Sequence, residues 1–72
     1  MTLQEIITKE QANRHEGGAF GIAACKEAIE FDLKYNHTSL YQCLEAYVRR
    51  ANADKFFNKA MVLACWELIN EQ

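Results

Sequence analysis

Phe56-Phe-Asn-Lys-Ala-Met-Val-Leu-Ala-Cys-Trp-Glu-Leu-Ile69 is the stretch that decides the fold of this chain. Its middle, Ala60 to Trp66, is seven apolar residues without a break and ends on the only tryptophan. A membrane span needs about 20 such residues, so this run is a core element and not a spanning one. Alanine, leucine and methionine dominate it, and these favour helix. Wound as a helix, Phe57, Ala60, Met61, Ala64 and Leu68 share one face, which Phe56 and Leu63 widen. Val62, Trp66 and Ile69 continue the line of Lys55 and Lys59, where the wet side should be. A helix apolar nearly all round is either central to its fold or shared with another chain.

Upstream, the sequence divides into three more helical segments. Asp54 is a good N-cap for the helix just described, placing it at about 54–70, after a short turn at Ala51-Asn-Ala53. Ser39-Leu-Tyr-Gln42 reads as a capping box that opens a helix over about 39–51. Its Leu40, Leu44 and Tyr47 should face inward, with Cys43 and Val48 flanking. Arg49 and Arg50 fall in its last turn, where positive charge complements the helix dipole.

Before it, about 19–35 carries two adjacent stripes, and Asn36 is a plausible left-handed stop. Ile22, Cys25, Ile29 and Leu33 form the first stripe; Ala24, Ala28, Phe31 and Tyr35 form the second. Both are expected to be core, with Gly21, Ala24 and Ala28 as a strip of small residues where another helix can come close. Lys26, Glu27, Glu30 and Lys34 share the other face, with Lys26–Glu30 and Glu30–Lys34 spaced to pair along the helix.

Thr2-Leu-Gln-Glu5 is a second capping box, with Met1 and Ile6 placed as a hydrophobic staple. It opens a helix over about 2–14 whose only apolar stripe is Leu3, Ile6 and Ile7. From Lys9 to Glu16 the chain is almost wholly polar, so this helix is expected to be loosely held or docked on a partner. His15-Glu-Gly-Gly18 ends it. The expectation is an all-α bundle of four helices in a single domain over residues 1–72. A chain of this length buries only about 60% of its unfolded surface, which favours a homodimer.

Composition and spacing bear on function mainly by exclusion. Net charge is −2, too mild for a nucleic-acid footprint. Three cysteines cannot close a disulfide framework, and free thiols in apolar stripes suit a reducing cytoplasm. The chain start does not read as a signal peptide. His15, His37, Cys25, Cys43 and Cys65 show no spacing that puts two ligands on one helical turn, so no metal and no cofactor is expected. Glu27, Glu30 and Asp32 read as a solvated face, and no catalytic residues are assigned. Gly17-Gly-Ala-Phe-Gly21 matches no phosphate-cradling pattern.

What remains is a non-enzymatic module that occupies the surface of a partner protein. Its contact patch is expected at Trp66, Val62, Ile69 and Tyr41, with Arg49 and Arg50 on the rim. The rival is a nucleic-acid binder using Arg49, Arg50, Lys55 and Lys59 around a helix–turn–helix, with Asp54 and the apolar Val62 and Trp66 speaking against it.

Phe31-Asp-Leu-Lys-Tyr-Asn36, followed by a short helix and by Lys55-Phe-Phe57, resembles the small helical theta subunit of bacterial DNA polymerase III. That resemblance covers roughly half of the chain, leaves Met1 to Gly18 aside, and carries no functional residue across. The size and the want of catalytic motifs are those of small accessory or inhibitor proteins encoded by phages and mobile elements.

Overall fold

Four helices follow one another in the computed structural model, which describes residues 2–12, 18–36 and 39–72, with backbone only at 18–20. They are α1 (Leu3–Ala12), α2 (Gly18–Asn36), α3 (Leu40–Ala53) and α4 (Ala60–Asn70). The bundle is all-α, as the periodicity predicts. Its radius of gyration is 11.4 Å, against roughly 11 Å for a folded domain of this length.

The apolar run makes α4 the centre. It packs against each of α1, α2 and α3. Val62, Leu63, Ala64 and Cys65 are completely buried, and Ala60 and Leu68 nearly so. Around them gather Ile6 and Ile7 of α1, Ile22, Cys25 and Ile29 of α2, and Leu40, Cys43, Leu44 and Ala51 of α3. All belong to one cluster, with Leu3, Leu33, Tyr47, Val48, Phe57, Met61, Trp66 and Ile69 half-buried at its edge.

Local chemistry starts the first and third helices where the sequence places them. The Thr2 hydroxyl accepts from the Glu5 amide at 3.2 Å; Met1, the other half of the expected staple, lies outside the described residues. At α3 the Ser39 hydroxyl accepts from the Gln42 amide at 3.2 Å, and the Gln42 side chain accepts from the Ser39 amide at 3.1 Å. This is the full capping box. The glycine break falls largely outside the described residues, with α2 under way at Gly18. Asn36 is the last residue of α2 and not a stop beyond it; its side-chain amide donates to Asp32.

The junction of the last two helices is corrected. Ala51-Asn-Ala53 is no turn: α3 continues through Ala53, and Ala51 is buried. Asp54 does not cap α4. Its carboxylate accepts from the Phe56 amide at 2.9 Å, and its carbonyl accepts from the Phe57 amide at 3.1 Å. These bonds make a tight turn over 54–57. Lys59 is the N-cap of α4 and makes no side-chain cap bond; Asn58, just before it, supplies the side-chain bond at the helix start. Its side-chain oxygen takes the Ala60 amide at 3.0 Å, its carbonyl takes the Met61 amide at 3.0 Å, and its amide nitrogen donates to Cys25 Sγ at 3.6 Å.

The turn lets Phe57 fold back on α3, its ring 6.0 Å from that of Tyr47 and 4.7 Å beneath the Arg50 guanidinium. Asn58→Ala is therefore expected to lower stability by about 1–2 kcal/mol in urea unfolding. Asp54→Ala should cost less, since its bond serves an exposed turn. The reverse order would mean that the helix begins at 54 after all.

Candidate functional site

The sequence-predicted patch is divided by the fold. Val62 is completely buried and unavailable to any partner. Trp66 and Ile69 are half-buried against the core cluster. α1 docks on α4, and its Ile6 and Ile7 join the same core cluster that holds Val62 and borders Trp66 and Ile69. Tyr41, second residue of α3, stands 69% exposed. It is the one member of the apolar patch fully open to contact.

The four cations of the rival reading sit at the α3–α4 junction, each beside another group. The Arg49 guanidinium pairs with Glu45 at 3.1 Å, one turn back on the outside of α3. Arg50 covers the Phe57 ring. Lys55 stands 5.1 Å over the ring of Phe56, which is 84% exposed. Lys59 is half-buried. Stacking of a cation on an aromatic face contributes about 0.5–1 kcal/mol at such exposed sites. Asp54 lies within the group, and Glu45 neutralises one of its charges.

The larger finding is on α2. Only its first stripe is core: Ile22, Cys25 and Ile29 are buried and Leu33 is half-buried. The second stripe, expected to be core as well, faces water. Ala24 and Ala28 are exposed, Phe31 is 63% exposed and Tyr35 59%. The Phe31 and Tyr35 rings stack on each other, centroids 4.3 Å apart, and the Lys34 ammonium lies 5.8 Å from the Tyr35 ring. At Gly21 an added Cβ would meet open space. Sequence reasoning identified these residues but gave them to the interior.

Lys26 is also placed differently from the expectation of pairing along its own helix. Its ammonium bridges to α4, 3.2 Å from a Glu67 carboxylate oxygen and 2.7 Å from Glu71 just past the helix end. The hydrogen bond to Glu71 is the main reason its pKa is held above the ordinary lysine value. Glu71 also lines a cleft of about 230 Å³, with Glu30, Leu33, Leu40, Leu68 and Gln72. Such a volume is below the roughly 300 Å³ at which small-molecule sites begin, and its lining offers no thiol, imidazole or hydroxyl.

The three thiols are buried elsewhere. Cys65 Sγ donates to the Leu40 carbonyl at 3.2 Å. Burial, then the neighbouring Cys43, pushes the Cys65 thiol up to about 11. Burial likewise raises Cys25 and the Tyr47 phenol. A thiol so raised is not a nucleophile at neutral pH. Among the described residues no three of His, Cys, Asp and Glu come together as metal ligands would, and no helix is long and apolar enough to cross a membrane. His15 and His37 lie outside those residues.

No protein family, curated protein or solved structure matches the chain, so the likeness of 31–36 and 55–57 to the theta subunit gains no support.

Proposed function

We propose that this chain is a small non-enzymatic protein-binding module that acts by covering a surface of a partner protein, as an accessory or inhibitory subunit in a reducing compartment such as the cytoplasm. The observation that carries this reading is the aromatic surface left in water. Phe31, Tyr35, Tyr41 and Phe56 are each more than half exposed. They are four of the chain's eight aromatic side chains (four Phe, three Tyr, one Trp). Large exposed aromatics are the groups that dominate protein interfaces, and a small domain with a marginal core has reason to keep them inside. Tyr41 is the proposed target contact, with Arg49 about two turns further along the same helix; Arg50 is turned to the Phe57 ring.

The rival, a nucleic-acid binder, draws on Phe56 as a stacking platform beside Lys55. The mild negative net charge and the Glu45–Arg49 pair weigh against it. One experiment separates them: capture of ligands from the native host's lysate on immobilised protein. The expected result is one protein retained stoichiometrically by wild type and by Trp66→Ala, and lost with Tyr41→Ser while the circular dichroism is unchanged. Retention that ignores Tyr41→Ser would sink the reading. Salt-sensitive retention of nucleic acid, lost on charge reversal at Arg49, Arg50, Lys55 and Lys59, would establish the rival.

A further inference from the structure

The outer stripe of α2 has a pattern of its own. Gly21, Ala24, Ala28, Phe31 and Tyr35 follow one another in alternating steps of three and four, the spacing by which one helix meets another along a straight seam. Small residues occupy its N-terminal half and aromatic residues its C-terminal half. The flank of the seam turned away from the core carries Glu27 and Lys34, both exposed.

We propose that this face is the seam of an antiparallel homodimer, in which α2 of one copy lies along α2 of a second. The proposal rests on the reading of the chain as a protein-binding module and assigns its α2 surface to self-association. The target would then be met through Tyr41.

Steric and electrostatic complementarity both select a second copy, and both select one register. Two antiparallel helices run their small and large halves in opposite senses, so each aromatic half faces the other copy's small half. Place Ala28 opposite Phe31 of the second copy. Four residues toward the N-terminus on one helix is four toward the C-terminus on the other, so Ala24 meets Tyr35. The two-fold axis repeats both pairs. Every layer then joins a methyl group to a ring, and the rings fill the groove above the alanines over roughly 17 Å of helix.

In this register Glu27 of each copy lies beside Lys34 of the other, giving two opposite-charge pairs along the open flank. The neighbouring register, Ala24 opposite Ala28, brings the two Glu27 carboxylates together, a like-charge contact that the first register avoids. A parallel arrangement sets ring against ring at one end and leaves a gap at the other.

The size of the seam is adequate but modest. At their exposures, Phe31 and Tyr35 each offer on the order of 120 Å². Four rings and the groove they cover bury roughly 1,000 Å² in total, at the lower limit for a specific interface. Association is therefore expected at high micromolar concentration.

Sedimentation velocity on the full chain under reducing conditions, from roughly 10 µM to 1 mM, reads the dimer directly. The expected result is a concentration-dependent shift from monomer to dimer. Ala28→Glu, at an exposed position that glutamate suits, should weaken association roughly tenfold or more. Glu27→Lys or Lys34→Glu alone should weaken it several-fold, and the double swap E27K/K34E should restore it. Restoration identifies the antiparallel register, since no other brings these two residues together across the seam.

A monomer throughout the range would overturn the proposal, as would a dimer indifferent to Ala28→Glu. Single charge variants not rescued by the double swap would also overturn it. Loss of the lysate target with Tyr41→Ser, in a protein that still dimerises, keeps the two readings apart.

Discussion

Ile6→Ala is expected to remove about 2–4 kcal/mol of stability, much of what a domain of this size possesses. Ile6 is completely buried, although most of the side chains of its helix are polar and exposed. Truncating such a side chain loses its transfer free energy and leaves a cavity, together about 2–5 kcal/mol. A 72-residue domain has roughly 4–11 kcal/mol in all. The midpoint of thermal unfolding should accordingly fall by about 10–20 °C.

α1 is ten residues long, below the roughly 12–15 at which an isolated helix holds in water. Its helicity therefore depends on docking to α4, and the loss should be cooperative. Urea unfolding followed by circular dichroism should show one transition, shifted as a whole. Gln11→Ala, on the exposed side of the same helix, should leave the midpoint unchanged. A shift below about 1 kcal/mol for Ile6→Ala, or early loss of a fraction of the helical signal, would show α1 to be loosely held, as its polar composition suggests.

Why composition misleads here bears on what the sequence could tell. The existence, number and order of the helices were legible because each rests on local chemistry: the Ser39–Gln42 box, the Thr2 cap, and the apolar run of 60–66. The centrality of α4 was legible too, as one of two alternatives. What bears on the choice is a long-range fact, the docking of α1 on α4; the short stripe of Leu3, Ile6 and Ile7 marks the face that docks but not what it docks on. Asp54 and Asn58 are equally good cap residues on inspection. Asn58 serves the start of α4 because the preceding turn lets Phe57 reach Tyr47 and Arg50, a contact between segments that local rules do not see.

Surface was harder to read than core for a related reason. Both stripes of α2 have apolar spacing, and spacing alone does not say which faces inward. The bundle has room for one, and Ile22, Cys25 and Ile29 fill it. For Lys26 the sequence offers Glu30, four residues away, while Glu67 and Glu71 become its neighbours only on folding. The expected patch lost Val62 to the core and kept Tyr41. Candidate contact residues thus moved from α4, where the sequence is most apolar, to helices whose apolar residues the core had no need of.

Alkaline pH should destabilise the fold in a defined window, and Cys65 should account for much of it. In the folded chain its thiol is raised to about 11 from an ordinary 9.0. Unfolded, it ionises near the ordinary value. Between those pH values the unfolded state has given up a proton that the folded state retains, so unfolding releases a proton and stability falls as pH rises. The contribution is fully present below about pH 9, declines through 9–11, and is gone above. Two pH units correspond to on the order of 2–3 kcal/mol.

Cys25, Tyr47 and Lys26 are displaced upward as well and act with the same sign, Tyr47 and Lys26 at the upper end of the window. Urea midpoints should be flat from pH 7 to 8.5 and then drop steeply. Cys65→Ala starts from a lower stability, having lost the sulfur and its bond to the Leu40 carbonyl, yet its decline through 9–11 should be visibly shallower. Parallel curves for the two proteins would show that Cys65 does not titrate as its burial requires. The reason is general to a fold with an apolar helix at its centre: every ionisable group packed against α4 must stay neutral or find a partner, and the pH at which a buried thiol no longer can sets the limit of the fold.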